Sequence, residues 1–339
     1  MNSNFFSPPM HIPHKLRLAI DEVLTGSSTC TLHRNFTELA RAYAHGRGET
    51  PFVESRDKVY AYIATRMPSI YVVLLAVFQE IATRCPTFAP TSLIDVGSGP
   101  GTVMWAVEEI WQTLSSLRLL DNNLLFRQVG QQLAASANHP LSAIASWEDI
   151  NLLDGGQKIE GAADLVTASY VLGELSAPAQ ERRILDLWHS TEQFLVLVEP
   201  GTPDGFRRIL SARSLLLNAG ASLFAPCAGT NDCPLSGERW CHFARRVERT
   251  RTQRSSKGGS LGFEDEKYSF LVVSRTATPP IFGRVVAPPT IFKHEATLYM
   301  CDSATTLVSI TAKKKGSRDR FRAVTKELRW GDYVLGLPE

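Results

Sequence analysis

Leu93-Ile94-Asp95-Val96-Gly97-Ser98-Gly99-Pro100-Gly101 is a short apolar run that ends in a carboxylate and then places glycine at every second position. Glycine lets a backbone turn tightly and come close to a ligand, and the N–H groups opening the next helix face outward there. The segment predicts strand, turn and helix, with the helix over Thr102 to Leu114. Downstream, the apolar runs Leu117 to Leu120, Leu165 to Ala168 and Phe194 to Val198 alternate with helical patterns at Leu124 to Ala135, Ala179 to Trp188 and Asp204 to Ala219. Strands alternating with helices imply parallel pairing through crossovers, hence a doubly wound α/β domain.

Upstream, Lys15 to Leu24, Asn35 to Ala44 and Val59 to Thr83 carry apolar residues at three- and four-residue intervals, so residues 1–90 read as a helical region. Arg66, in Ala61 to Pro68, reads as a helix-surface cation or as one facing a phosphate. The α/β domain is expected over 91–275, with a Cys-, Arg- and Gly-containing insertion at about 221–262 and a last strand at Tyr268 to Ser274. Residues 276–339 read as a small β-rich module, with alternation at Thr297 to Met300 and Thr306 to Thr311.

Hydrophobic residues at 44% and charged residues at 21% describe an ordinary globular chain and argue against extensive disorder. The apolar stretch Tyr71 to Phe78 falls short of a spanning helix, and Met1 to His14 lacks the features of a signal or import sequence. A cytoplasmic protein without a membrane segment is expected. The net charge of +2 hides a division: residues 1–235 hold 17 Lys and Arg against 23 Asp and Glu, a net of −6, whereas 236–339 hold 19 against 11, a net of +8. A basic C-terminal third suits an anionic partner, nucleic acid first, and a solvated basic surface second.

The Asp95 to Gly101 motif resembles the S-adenosylmethionine (SAM) site of class I methyltransferases. That resemblance implies a Rossmann-like SAM fold in which Asp95 lies near the ligand's amino-acid portion and Gly97, Gly99 and Gly101 line its pocket. Asp121, ending the next strand, can accept hydrogen bonds from both ribose hydroxyls. Trp147-Glu148-Asp149 resembles the adenine-contacting segment, with Asp149 alternatively a helix cap. Asp164 to Leu175 resembles the fourth-strand segment that reaches the transfer site and puts Ser169 there. Ser169-Tyr170 lacks the Asn- or Asp-Pro-Pro-aromatic motif of many amino-methylating enzymes, which argues against base N-methylation.

Cys227, Cys233 and Cys241 form C-x5-C-x7-C, and Cys301 follows 60 residues later. Four thiolates suit zinc or an iron–sulfur cluster stapling the insertion to the C-terminal module, and spacing does not choose between them. A disulfide pair or a Cys227 nucleophile adding to a pyrimidine is the alternative use of these thiols. His242 beside Cys241 makes an awkward further ligand, and Cys30 and Cys85 belong to no cluster.

Taken with Ala61 to Pro68, Leu172 to Leu175, Val198 to Pro203, Ala225-Pro226-Cys227, Cys233-Pro234, Cys241-His242-Phe243 and Trp330-Gly331-Asp332, the chain resembles the bacterial branch of the mitochondrial small-ribosomal-subunit, Rsm-type methyltransferase-like family. The resemblance implies a 4Fe-4S cluster on Cys227, Cys233, Cys241 and Cys301, and action on the small ribosomal subunit or its rRNA. Lys313, Lys314, Lys315, Arg318, Arg320 and Arg322 can neutralise phosphates, with Phe321 as a stacking face. Arg245, Arg246, Arg249, Arg251 and Arg254 form a second basic run. The leading expectation is a SAM-dependent rRNA methyltransferase. An inactive SAM-binding assembly factor is the alternative, ahead of a small-molecule methyltransferase with structural zinc.

Overall fold

The computed structural model describes residues 9–45, 53–152, 157–235, 239–258 and 260–337. They divide into two compact units, 9–192 with 246–266, and 193–245 with 267–337.

In the first unit, α1 (His14–Val23), α2 (Thr29–His45), α3 (Arg56–Thr65) and α4 (Met67–Arg84) precede a parallel sheet of β1 (Ser92–Val96), β2 (Ser116–Leu120), β3 (Ala145–Glu148) and β4 (Ala163–Ser169). The strand order is β3-β2-β1-β4. Leu93, Ile94, Leu117, Leu119, Leu165 and Val166 are all buried, as parallel strands covered on both faces require. The connections include α5 (Thr102–Ile110) and α6 (Leu124–Ser136), and α7 (Ala177–His189) follows β4.

The pattern over Val59 to Thr83 is continuous in sequence but broken in structure at Arg66. Pro68 occupies the first turn of α4, where its missing N–H leaves no intrahelical bond unmade. The α4 helix is long and apolar enough to cross a membrane, yet 72% of it is buried and it packs on α5 as a core helix.

The second unit contains β5 (Thr191–Pro200), α8 (Pro203–Asn218) and β6 (Ser222–Ala225). The strand β7 (Phe243–Glu248), the helix α9 (Arg251–Lys257) and the start of β8 (Phe263–Ser274) lead through the first unit and back. β8 runs antiparallel to both β5 and β6. Glu199 is fully buried at the end of β5 and accepts a hydrogen bond from Arg208 Nε of α8 at 2.6 Å. Gly205 lets α8 rest on β5, since a Cβ there would stand 2.0 Å from the Pro200 carbonyl oxygen.

The C-terminal module of this unit is an antiparallel sheet of β9 (Gly283–Ile291), β10 (Glu295–Asp302), β11 (Leu307–Lys313) and β12 (Tyr333–Val334), in the order β11-β10-β9-β12. One face packs Val285, Leu298, Met300 and Ala312 against Val324, which follows the short helix α10 (Arg318–Arg322). Phe321 joins this core and is therefore not an open stacking face.

In the first unit, Gly130 of α6 makes room for the Trp147 ring: a Cβ there would stand 2.3 Å from the indole and 2.8 Å from the Pro100 carbonyl oxygen. Glycine to alanine inside a helix ordinarily stabilises by about 1 kcal/mol. Here Gly130→Ala should instead destabilise by about 1–3 kcal/mol through overpacking. A thermal melt showing an unchanged or raised Tm would contradict this placement of Trp147.

Candidate functional site

The glycine turn leaves the buried end of β1. Gly97, Gly99 and Gly101 all adopt positive φ (72°, 53° and 73°), a region that L side chains rarely enter. Their surroundings differ. A Cβ on Gly97 would stand 2.6 Å from Val171 and one on Gly101 2.6 Å from Trp147, whereas one on Gly99 would meet open space. Gly97 and Gly101 thus bring the turn against its neighbours, and Gly99, although buried, leaves open space beside its backbone.

Two carboxylates frame the turn. Asp121 takes the Gly99 N–H at 2.7 Å and the Asn123 N–H at 2.8 Å, so its oxygens hold the loop while each retains a lone pair for a ligand hydroxyl. Burial raises its carboxyl above the usual range, opposed by those two hydrogen bonds. Asp95 is 4% exposed and receives the Thr167 hydroxyl at 2.5 Å. Burial pushes its carboxyl to about 7, against the lowering effect of Thr167 and with a further upward push from Asp121. The hydroxyls of Ser98 and Ser169 are buried without a hydrogen-bond partner. Asp149 is largely exposed, with Arg127 at 3.7 Å, and it caps no helix. Neighbouring Glu148 is tied by both oxygens to Arg118 at 2.6 and 2.8 Å.

Tyr170 follows the last residue of β4 at φ 59°, a strained conformation for an aromatic residue. Its hydroxyl lies 3.4 Å from Glu266, and Arg66 lies 5.7 Å from its ring centroid. Arg66 in turn donates two hydrogen bonds to Glu266, each 3.0 Å. The Arg66 guanidinium is therefore committed to an internal carboxylate rather than presented to a phosphate. Sequence periodicity could not foresee this, because Glu266 is 200 residues away.

In the second unit, Cys227, Cys233, Cys241 and Cys301 line one cavity of about 600 Å³, counting its open mouth. The loop after β6 is clasped to the β10–β11 turn: Gly229 approaches Ser303 so closely that a Cβ would stand 2.1 Å from its carbonyl oxygen, and Asn231 donates to Ala304 at 3.2 Å. That clasp sets Cys301 on the same cavity as the other three thiols. Burial, then the mutual repulsion of incipient thiolates, raises Cys241 well above the usual thiol range and Cys301 to about 12. Cys227 is raised as well, first by burial, with Arg213 opposing.

Arg213 and Arg284, which sequence reading missed, also line the cavity and are 4% and 2% exposed. Arg213 donates to the carbonyls of Gly229 and Asn231 at 3.1 and 2.7 Å, while its Nε is buried without a partner. Arg284 donates to Pro226 O at 2.9 Å and Gly331 O at 2.8 Å, so the Trp330-Gly331-Asp332 turn serves to hold this guanidinium. The available signal was an arginine inside the apolar stretch Ile281 to Val286. His242 stacks on Trp240 (centroids 5.1 Å apart) and meets Trp330 edge-on, outside the set of side chains lining the cavity.

The basic segments separate into two kinds. Arg246 makes a two-point pair with Asp265 and Arg249 bonds Glu264 at 3.1 Å, so these two of the five arginines are spent on internal carboxylates. Lys313, Lys314, Lys315 and Arg318 are exposed, Arg320 is half-buried, and exposed Arg322 pairs with Glu327 at 3.0 Å.

A parallel β3-β2-β1-β4 sheet with an acid-tipped first strand and a glycine turn, together with a reversed β8 between β5 and β6, defines a class I SAM-methyltransferase fold. The chain belongs to the family described as mitochondrial small ribosomal subunit Rsm22, whose match covers residues 56–334. It is similar to the human mitochondrial ribosome assembly protein METTL17, 26% identical over 80% of this chain and 61% of that protein. It is also similar to Rsm22-cox11 tandem protein 2 of Schizosaccharomyces pombe, 24% identical over 94% of this chain and 50% of that protein. The chain thus spans about half to three-fifths of the length of these relatives. Among solved structures it is similar to an O-methyltransferase family protein from Burkholderia thailandensis, at 14% identity and TM-score 0.45, covering 76% of this chain and 72% of that one.

Asp95 generates a pH prediction. Its folded value near 7 exceeds the 3.8 of a free carboxyl, so between these values the native state holds a proton that the unfolded chain has released. Stability from this group is full below about pH 4 and is lost as pH rises through about 7. Asp95→Asn removes that loss, so the Tm of the variant relative to wild type should rise from pH 5 to pH 8. A constant difference would contradict a buried, uncompensated Asp95.

Proposed function

We propose that this chain is a SAM-binding, 4Fe-4S-carrying protein that acts on the small ribosomal subunit or its rRNA as an assembly factor. The family match carries the ribosomal part of the reading. The glycine turn supports SAM: Gly99 faces open space, Ser98 and Ser169 offer unpaired hydroxyls, and Asp95 is a buried carboxylate that a ligand ammonium would compensate. In this reading Asp121 turns its remaining lone pairs to the ribose, and Asp149 stands at the adenine end.

Four thiols around one cavity that Arg213 and Arg284 also line suit an anionic metal–thiolate group. Four thiolates about a core of charge +2 leave a net −2, which Arg213 and Arg284 offset. Tetrahedral zinc needs sulfurs only about 3.8 Å apart. Among the described residues no three Cys, His, Asp or Glu groups are gathered closely enough for a single ion, and the choice of a cluster over zinc rests on the family resemblance. When bound, such a cluster supplies a cross-link between the loop after β6 and β10. Cys227, Cys233, Cys241 and Cys301 would hold it, and the two arginines would steady its charge.

Tyr170 favours binding over transfer. At the end of β4, where ligands of α/β sheets meet their reacting partners, its ring is locked by Arg66 and Glu266. A planar acceptor stacking on that ring would compete with this ion pair. Methyl transfer to rRNA is the second reading, favoured by the open Gly99 side of the turn; positioning alone can drive displacement at a sulfonium.

Anaerobically purified protein should contain about four iron and four sulfide per chain. Cys233→Ser should lose them, and Gly99→Arg should lose SAM binding while keeping iron. Incubation with labelled SAM and immature small subunits should give a complex without label in rRNA. Labelled rRNA would establish the transfer reading, and wild-type protein that binds neither SAM nor iron would overturn the proposal.

A further inference from the structure

The outward face of the C-terminal sheet carries chemistry that neither candidate site uses. Along β10, Ala296, Leu298 and Met300 point into the core, and Thr297 and Tyr299 point out. On β11, Ser309, Thr311 and Lys313 are exposed. The register sets Thr297 between Thr290 and Thr311, and Tyr299 beside Ser309. Hydroxyl contacts at 3.2 Å link Thr290 to Tyr299 and Thr297 to Thr311.

At one end of this face, two turns lie together. Phe292 N donates to Glu295 O at 2.7 Å, closing the β9–β10 turn, and Lys314 N donates to His294 O at 3.0 Å, joining the segment after β11 to it. Phe292 is 63% exposed at that junction and Tyr299 is 36% exposed on the sheet. Lys293, Lys313, Lys314 and Lys315 are all exposed around them, and Glu295 stands opposite Lys313.

We propose that this face is a platform for unpaired RNA, with bases stacking on Phe292 and Tyr299 and the backbone following the lysines from Lys293 to Lys315. Charge selects a polyanion. Two exposed rings on a hydroxyl-lined sheet select one with accessible base faces, because bases within a duplex are already stacked. The inference rests on the RNA-associated reading above and assigns the stacking role to residues other than Phe321.

The test is fluorescence anisotropy of the full chain with an unstructured RNA of about 12 nucleotides and a hairpin of equal length, across a salt series. Phe292→Ala with Tyr299→Ala should weaken binding of the unpaired RNA about tenfold or more at every salt concentration, leaving the salt slope unchanged. Reversing Lys313, Lys314 and Lys315 to Glu should lower the slope for both RNAs. Phe292→Trp should retain affinity and add an indole emission that is quenched by the unpaired RNA. An aromatic double variant that binds like wild type, or no quenching, would overturn the platform while the lysine variant still reports RNA association. Failure of wild type to bind either RNA or small subunits would remove the underlying reading as well.

Discussion

Two guanidinium groups sit in the apolar interior of the second unit, and its architecture is arranged around them. A buried cation loses several kcal/mol of solvation that its surroundings must restore. Arg213 and Arg284 are surrounded by main-chain oxygens: Gly229 and Asn231 for the first, Pro226 and Gly331 for the second. Those carbonyls belong to the loop after β6 and to the turn before β12. Satisfying the arginines thus fixes the segments that carry or support the cysteines. Gly229 and Gly331 are required where these backbones approach closely or turn at positive φ. The same charges then favour the thiolate forms that burial opposes.

The first unit shows the opposite charge in a comparable setting. Asp95 is buried at the end of β1 with a hydroxyl as its hydrogen-bond donor, while Asp121 is occupied by the backbone of the glycine turn. One carboxylate shapes the loop, and the other is buried with no cation beside it among the described residues. Beyond β4, the Arg66–Glu266 pair and the strained Tyr170 form a second, self-satisfied polar cluster. In the proposed reading the first carboxylate lies at the ligand end and the self-satisfied cluster at the acceptor end, which is the physical basis for favouring binding over transfer.

Much of the fold was legible because its signals are local. The Asp95 to Gly101 turn, the β1, β2, β4 and β5 runs and the helices between them follow from periodicity and glycine placement. The break at Arg66 was hidden, since apolar spacing continues through Pro68 and the helix is buried on nearly every side. The strand β9 was hidden by Pro288 and Pro289, which the sheet accommodates beside register shifts in β10. At the sites, cysteines and glycines declare themselves by type and spacing. Arg213, Arg284 and Glu266 do not, because their roles arise from partners brought near by folding. Within the Arg245 to Arg254 run, Arg246 and Arg249 were opaque for the same reason: Asp265 and Glu264 neutralise cations that read as free in sequence.

The proposed work of this chain on the RNA of the small ribosomal subunit requires direct contact with that RNA in the cell. Ultraviolet cross-linking in growing cells, followed by sequencing of the attached RNA and mapping of the attached peptide, tests it most directly. Small-subunit rRNA should be enriched, with cross-links from unpaired nucleotides to the peptide spanning Phe292 to Lys315. Recovery of small-subunit rRNA no higher than that of large-subunit rRNA and messenger RNA would contradict it.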